Sequence, residues 1–286
     1  MKNKNKNFRY FLGLLLKPLV KYNKKLYSLL SFTRDVQILV DKKNLFFHCH
    51  QERISNTIYF TGLFGDFEGE SLRLWNQCIE RLKPKLILDI GAFTGFYSLL
   101  AALKSDQSLI YAYEPNPMTY KILKHNIQLN NFKNIFPCEY GVSTASGEHI
   151  FYNWNNTANP GISLVNHQKI IKGTESISLK IKDLLEIRKE LNQKLDLIKI
   201  DIERAELPLL KHANKLINQD RPIIFCEILD HEFYSEFDHL FLESGYRMIK
   251  IDDNNKLNFK VKEMKHESKV GINWIFYPKE HKNIFN

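Results

Sequence analysis

The stretch that decides the fold is Leu86-Ile87-Leu88-Asp89-Ile90-Gly91-Ala92-Phe93-Thr94-Gly95-Phe96-Tyr97-Ser98. Its first five residues form an apolar run interrupted only by Asp89, which predicts a strand buried on both faces. Gly91 and Gly95 permit a tight turn and a close approach of backbone, and a helix is expected over residues 96–103. Because the start of a helix offers free N–H groups, this order predicts a ligand site at the end of the strand.

Similar apolar runs recur along the chain and alternate with amphipathic stretches. They lie at residues 109–113, 134–138, 195–200 and 223–228, with a closing pair at 246–251 and 271–277. Continuous rather than alternating apolar runs are typical of parallel strands covered by helices on both faces. The sequence therefore predicts an α/β fold with a mostly parallel sheet flanked by helices.

Two segments precede this pattern. Residues 1–33 read as a basic amphipathic leader, and residues 34–84 as an extension built from a hairpin and a helix. Within the extension, residues 58–60 are expected to add a strand, and the helix is expected over residues 67–82. The α/β domain itself is expected to span residues 85–286.

The net charge of +9 is concentrated at the N-terminus. Residues 1–43 hold eleven basic and two acidic side chains, so the rest of the chain is neutral overall. A basic amphipathic segment can lie on an anionic membrane surface, and a merely packed or unstructured arm is the alternative. A neutral body lacks the basic footprint of a nucleic-acid enzyme, so nucleic acid is not an expected partner.

The four cysteines are widely separated and contain no C-x-x-C pair. This usage indicates reduced thiols in a cytosolic protein rather than a disulfide framework or a zinc cage. No apolar run approaches the ~20 residues that a transmembrane helix needs. We therefore expect a cytoplasmic protein, with peripheral membrane contact through the leader left open.

Acidic side chains follow the first two strands of the pattern. Asp89 lies just before the glycine turn, where its carboxylate can face an amino group or a ribose edge. Glu114 follows the next strand, at the distance where an acidic side chain accepts both hydrogen bonds of a ribose diol. Asn116 and Pro117 then begin a helix as N-cap and first residue. The second glycine of G-x-G-x-x-G is absent, so an adenosine-type ligand without a diphosphate is indicated; S-adenosylmethionine fits and NAD fits poorly.

An ordered series of motifs resembles the FkbM family of methyltransferases. The motifs are the glycine-turn stretch, Tyr113-Glu114-Pro115-Asn116-Pro117, residues 126–131, Gly141-Val142-Ser143 with Gly147, residues 161–164, residues 196–206 and residues 222–228. The resemblance implies a class I, Rossmann-like methyltransferase fold that uses S-adenosylmethionine, usually to methylate oxygen atoms of sugars, polyketides or similar small molecules. The resemblance and the residue-based argument above together give these candidate cofactor-binding residues: Asp89, Gly91, Thr94, Gly95, Glu114 and Asn116.

The chain departs from the family pattern at one turn. Where the family usually has D-V-E-G-A-E, this chain has Asp201-Ile202-Glu203-Arg204-Ala205-Glu206. Arg204 stands in place of a glycine, so either the backbone there does not need a positive φ or the turn has been reshaped.

The carboxylates of this turn, Asp201, Glu203 and Glu206, are the candidate catalytic residues. Asp201 follows a buried strand, at the edge where open α/β sheets bind ligands. An alcohol acceptor must lose its proton, either to such a carboxylate or with the help of a divalent ion that the carboxylates hold. As structural alternatives, Glu206 would only supply negative charge to the first turn of a helix, and Glu203 would pair with Arg204. Glu227 ends an apolar strand, where a carboxylate is costly unless it faces the cleft.

The function predicted is S-adenosylmethionine-dependent O-methylation of a small-molecule or glycan acceptor. Two other classes stay open: a nucleic-acid methyltransferase, although the Asn-Pro-Pro-Tyr type of signature is absent, and an inactive S-adenosylmethionine-binding module, which Arg204 would suit. The polar, irregular residues 153–173 are expected to form a loop over the site. Asn159, Gly161 and Ser163 in this loop are candidates for lining the acceptor pocket.

Overall fold

The computed structural model of the protein describes residues 32–50, 52–153, 175–264, 267 and 271–285. Residues 1–31 of the basic leader lie outside the described residues, and so do residues 154–173 of the predicted loop. The membrane contact of the leader and the pocket role of Asn159, Gly161 and Ser163 therefore stay predictions.

The chain enters the described region as a β-hairpin. Strands β1 (Thr33–Val40) and β2 (Lys43–His50) pair antiparallel in full register. The two turn residues, Asp41 and Lys42, both have positive φ, as the commonest two-residue hairpin turn requires. The predicted hairpin is confirmed.

Two helices follow the hairpin, α1 (Arg53–Thr61) and α2 (Gly69–Leu82). The strand expected at residues 58–60 is wrong, because these residues lie within α1. Glu52 caps this helix, since its carboxylate accepts hydrogen bonds from the backbone N–H groups of Ile54 and Ser55. Such a cap favours a helix over the local apolar run. The helix expected from residue 67 begins at Gly69.

The remaining strands and helices of the described residues lie from residue 86 onward. The strands are β3 (Leu86–Ile90), β4 (Leu109–Tyr113), β5 (Ile135–Cys138), β6 (Gly141–Ser143), β7 (Gly147–Asn153), β8 (Glu175–Asp183), β9 (Leu197–Ile200), β10 (Ile223–Glu227), β11 (Tyr246–Asp252), β12 (Leu257–Val261) and β13 (Asn273–Pro278). The helices are α3 (Phe96–Lys104), α4 (Pro117–Leu129), α5 (Leu184–Leu191), α6 (Glu206–His212), α7 (Asn214–Asp220) and α8 (Tyr234–Leu242). Within the described ranges, no helix has both the length and the apolar content to cross a bilayer.

Eight of these strands form the central sheet, in the order β12-β11-β13-β10-β9-β3-β4-β5. Strands β5, β4, β3, β9 and β10 are parallel, whereas β13 runs antiparallel to both of its neighbours. Strands β3, β4 and β5 follow one another from the middle of the sheet to one edge. The next strand of this sheet, β9, then lies on the other side of β3. The predicted class I methyltransferase fold is confirmed, and its topological switch point lies between β3 and β9, where such sheets bind ligands.

Helices cover both faces of the sheet and create two apolar layers. The hairpin and α2 belong to one of these layers, because Phe47 packs edge-on against Phe96 and Trp75 against Phe225, with ring centroids 5.2 and 5.0 Å apart. The extension therefore shares a core with the α/β part, and the domain boundary at residue 84 stays a prediction. Strands β6, β8 and β7 form a small separate sheet that the sequence pattern did not predict. In the sequence, β7 precedes residues 154–174 and β8 follows them.

Candidate active site

A cavity of about 270 Å³ lies at the carboxyl edge of the sheet, over the ends of β3, β9 and β10. The glycine turn forms one side, and the segment between α1 and α2 of the extension forms another. Its polar lining consists of Glu68, Thr94, Tyr97, Lys199, Asp201, Glu203 and Glu227. The cavity therefore holds four carboxylates and one ammonium group at the switch point of the sheet.

Three of the carboxylates, Glu68, Asp201 and Glu227, form a cluster. One oxygen of each lies within 4.8 Å of the others. Burial raises the pKa of Glu68 to about 7, although Lys199 opposes this rise, and the Tyr97 hydroxyl donates to its Oε2 at 2.8 Å. Burial and the negative charge of Asp201 raise the pKa of Glu227 well above its ordinary value. Glu68 can therefore exchange a proton near neutral pH, and Glu227 can hold one.

Lys199 supplies the positive charge inside this acidic site. Its Nζ donates to Asp201 Oδ2 at 2.8 Å and to the carbonyl oxygen of Gly91 at 3.3 Å, and it lies 5.3 Å from the centre of the Tyr97 ring. Burial lowers the pKa of Lys199, but the carboxylates of Asp201, Asp89 and Glu68 outweigh it and raise that pKa above its ordinary value. The ammonium group thus joins the turns that follow β3 and β9.

The two predicted glycines shape the turn by close packing. Gly91 has φ +79°, and a Cβ there would lie 1.8 Å from the backbone oxygen of Asp201. Gly95 has φ +93°, and its Cβ would lie 2.4 Å from a methyl carbon of Leu123. A side chain at Gly91 would overlap backbone, so only glycine fits there. At Gly95 the contact is with the flexible end of Leu123, and the positive φ is what favours glycine. Both preferences hold whether or not the residues also contact a cofactor.

Asp89 and Thr94 carry buried polar atoms that are unsatisfied. Asp89 Oδ2 accepts hydrogen bonds from the Ser98 hydroxyl at 2.6 Å and the Ser98 N–H at 3.1 Å. In contrast, Asp89 Oδ1 and the Thr94 hydroxyl have no partner among the described residues. Burial raises the pKa of Asp89, although Lys199 opposes the rise. Because buried polar atoms without partners are rare in native proteins, the pair fits a polar ligand beside the glycine turn.

Glu114 and Asn116 lie behind the cavity and do not line it. Glu114 Oε1 accepts from the Asn116 N–H at 2.9 Å and the Thr119 hydroxyl at 2.8 Å, and its Oε2 accepts from the Phe93 N–H at 2.8 Å. A carboxylate oxygen can accept two hydrogen bonds, so Oε2 keeps one acceptor position. Burial raises the pKa of Glu114 to about 7 despite these donors. Asn116 caps α4 through the Met118 N–H. The cofactor role of both residues stays a prediction.

The three predicted catalytic carboxylates do not lie together. Asp201 and Glu203 line the cavity, whereas Glu206 points into the turn, where its Oε1 accepts from the Ile202 N–H at 2.9 Å and the Arg204 N–H at 3.2 Å. Burial raises the pKa of Glu206 to about 7. Glu206 lies in the first turn of α6, as the structural alternative has it, but its carboxylate binds the turn at residues 202–204 that precedes the helix.

Arg204 occupies the backbone conformation that its glycine counterpart would favour. Its φ is +79°, and that of Glu203 is +54°. The turn has therefore not been reshaped: it keeps the left-handed backbone that suits glycine, and Arg204 adopts that backbone at a steric cost. The guanidinium forms an ion pair with Asp230.

Arg204→Gly is expected to be more stable than Arg204→Ala by about 1–2 kcal/mol. Both variants lose the ion pair with Asp230, but only glycine relieves the left-handed backbone. Urea unfolding of the two variants measures this difference. Equal unfolding free energies would contradict a positive φ at this residue.

Sequence reasoning missed Glu68 and Lys199. Lys199 left a signal, because it is a cation inside an otherwise apolar buried strand. Glu68 left none, since it precedes an ordinary amphipathic helix and reaches the site only through the packing of the extension. Glu227 lines the cavity. The sequence indicated this position, because burying a carboxylate in an apolar strand is costly unless it faces the cleft.

Comparison with known proteins identifies the relatives of this chain. The sequence model of the methyltransferase FkbM domain matches residues 89–248. Methyltransferase sdnD of Sordaria araneosa is 27% identical over 156 residues, which are 45% of this chain and 60% of that protein. Methyltransferase 1 of Beauveria bassiana is 28% identical over 145 residues, 44% of this chain and 57% of that protein. The matched part thus spans less than two thirds of either relative.

Solved structures show a weaker likeness. Methyltransferase FkbM from Methylobacillus flagellatus KT aligns with a TM-score of 0.41 at 14% identity, over 68% of this chain and 43% of that one. A methyltransferase from Geobacter sulfurreducens aligns with a TM-score of 0.41 at 12% identity, over 73% and 79% of the two chains.

Proposed function

Because the chain belongs to the FkbM methyltransferase family, we propose that it transfers the methyl group of S-adenosylmethionine to a hydroxyl group of a small-molecule or glycan acceptor. The observation that supports this most is the carboxylate cluster of Glu68, Asp201 and Glu227, which lies beside the glycine turn at the switch point of the sheet. The resemblance seen in the sequence is confirmed by the family match. The acceptor and the O-methylation are parts of the proposal.

The residues around the glycine turn fit this cofactor. S-adenosylmethionine carries two cationic groups, a sulfonium and an ammonium, and its sulfonium supplies the electrophilic methyl group. An acidic cavity stabilises such charge. Asp89 Oδ1 and the Thr94 hydroxyl offer unused hydrogen-bonding positions beside the turn. Glu114 Oε2 keeps one acceptor position for a ribose hydroxyl, directly behind the same turn.

The carboxylate cluster suits an acceptor that must lose a proton. During transfer, the acceptor oxygen bonds to the methyl carbon while the carbon–sulfur bond breaks, and a carboxylate takes the hydroxyl proton. A base works best when its pKa is near the working pH, which describes Glu68 with a pKa of about 7. Asp201, held by Lys199, is the second candidate for this contact.

A divalent ion held by Glu68, Asp201 and Glu227 is the alternative way to activate the hydroxyl. Hard cations prefer oxygen ligands, so the donor set itself is suitable. Lys199 already places a positive charge 2.8 Å from Asp201 Oδ2, however, and an ion in the cluster would be repelled by it. We therefore favour proton transfer to a carboxylate without a metal.

Calorimetry on the full chain is expected to detect S-adenosylhomocysteine, the demethylated product, and to detect no NAD. Glu114→Gln is expected to weaken this binding by about 1–3 kcal/mol, because a charge-assisted hydrogen bond to the ribose is lost. Glu190→Gln, at a side chain that is 60% exposed, is the matched control and should bind like the unchanged protein. Unchanged affinity in Glu114→Gln would reject the ribose role, and tighter binding of NAD would reject the methyltransferase proposal.

The acceptor class is tested by incubating the protein with methyl-labelled S-adenosylmethionine and separate pools of small molecules, glycans, tRNA and DNA. Label that appears in a small-molecule or glycan pool, and that survives conditions which cleave methyl esters, supports the proposal. Label in tRNA or DNA would support the nucleic-acid alternative instead. Cofactor binding without label in any pool would favour the inactive binding module.

A further inference from the structure

We propose that the chain binds a divalent transition-metal ion, with Zn²⁺ as the best fit, at Asp35, His48 and His125. These residues lie outside the methyltransferase cavity, where the hairpin packs against α4. His48 Nδ1 lies 2.6 Å from Asp35 Oδ1, and His125 Nε2 lies 2.9 Å from the same oxygen. Three different elements, β1, β2 and α4, thus bring two imidazole nitrogens and a carboxylate to one point.

The donor set and its spacing fit zinc. Two imidazoles and one carboxylate are ligands that Zn²⁺ and its neighbours in the first transition row prefer. Bonds of about 2.0–2.2 Å in a tetrahedral site place the ligand atoms about 3.4 Å apart. The three ligand atoms all lie within 4.8 Å of one another, so shifts of less than about 1 Å would accommodate the ion. The side chains are 26–44% exposed, which leaves a path from solvent and room for a water ligand.

A further imidazole lies beside this cluster. His50 stands two residues after His48 on the same face of β2, and the two rings stack with centroids 6.4 Å apart. Both ring nitrogens of His50 are buried without a hydrogen-bond partner among the described residues. His50 therefore places a third imidazole next to the cluster.

The position of the cluster connects it to the glycine turn. The backbone N–H of His48 donates to Asn126 Oδ1 at 2.8 Å, and Asn126 Nδ2 donates to the carbonyl oxygen of Thr94 at 2.8 Å. Asn126 follows His125 directly on α4. An ion held by the cluster would fasten the hairpin to α4 next to this chain of hydrogen bonds, and would stabilise the folded state by binding it selectively.

The test uses the untagged full chain, stripped with a chelator and titrated with Zn²⁺ alone. We expect one Zn²⁺ per chain and a melting temperature that rises with zinc concentration. When the metal-free protein is loaded with Co²⁺ in place of Zn²⁺, the bound Co²⁺ should show the visible absorption bands that nitrogen ligands produce.

The variants Asp35→Asn, His48→Gln and His125→Gln retain hydrogen-bonding groups and so should keep the fold. Each is expected to weaken zinc binding by at least about 100-fold, since loss of even an indirect partner costs 10- to 100-fold. His239→Gln is the matched control, because His239 forms a similar pair with Glu243 at 2.9 Å but lies in no such cluster among the described residues.

Two results would overturn the proposal. One is the absence of stoichiometric zinc binding, which would leave the cluster as a pair of ordinary His–Asp ion pairs. The other is binding that survives all three variants but is lost in Glu227→Gln, which would place the ion in the methyltransferase cavity. Neither result depends on methyl transfer, so the zinc site and the proposed function are tested independently.

Discussion

Asp201→Asn is expected to lower the turnover of methyl transfer by about 10²–10⁴-fold while leaving cofactor affinity nearly unchanged. Asparagine keeps the shape of the side chain and an oxygen that can accept from Lys199 Nζ, which lies 2.8 Å from Asp201 Oδ2. It removes a negative charge that either takes the acceptor proton itself or raises the pKa of Glu68, the other candidate base. General-base catalysis contributes about this factor. The turnover number and the calorimetric affinity for S-adenosylhomocysteine together measure the effect.

Asp196→Asn is the matched control, because Asp196 lies at the opposite end of the same strand. Its carboxylate accepts from the backbone N–H groups of Lys85 and Leu86, far from the cavity. Unchanged turnover in Asp201→Asn would reject its catalytic role, and lost cofactor affinity would assign Asp201 to cofactor binding instead. Activity that a chelator abolishes and Mg²⁺ restores would favour the metal alternative.

Lys199→Met is expected to lower the free energy of unfolding by about 3–5 kcal/mol at pH 8. Methionine fills a similar volume, but the buried carboxylate of Asp89 and the half-buried ones of Glu68 and Asp201 lose the cation that stabilises them. Denaturant unfolding measures the loss. Lys211→Met is the control, since Lys211 is 51% exposed in its ion pair with Glu236 and such a surface pair contributes at most about 1 kcal/mol.

The loss in Lys199→Met should also depend on pH. Burial raises the pKa of Glu68 and of Glu114 to about 7 in the folded chain, from an ordinary value of 4.5. The folded state therefore binds more protons than the unfolded state between pH 4.5 and 7, so its stability falls as the pH rises through this window. Without Lys199 the carboxyl groups hold their protons more strongly, and the fall should be steeper. A deficit that is the same at pH 5 and pH 8 would contradict this account.

Local features of the sequence were sufficient for the fold class and for the edge of the sheet at which the cavity lies. The strand, glycine turn and helix of residues 86–98 depend on side-chain periodicity and on backbone freedom at Gly91 and Gly95, which neighbouring residues determine. Asp201 directly follows β9, and Glu227 is the last residue of β10. Parallel strands bring their carboxyl ends to one edge of the sheet. Local pattern failed at residues 58–60, because the cap that Glu52 provides outweighed the β-propensity of the apolar run.

Only the tertiary structure decided which charges meet. Glu68 and Lys199 are 131 positions apart, and no periodicity relates them; packing of the extension against the sheet brings both to the cavity. The same applies to His48 and His125, which meet at Asp35 only because the hairpin packs on α4. The path of the backbone also decided the role of Glu206, because its carboxylate accepts hydrogen bonds from the N–H groups of the preceding turn and does not line the cavity. The sequence by itself determined where the strands end, whereas the distances between side chains depended on packing between segments far apart in the chain.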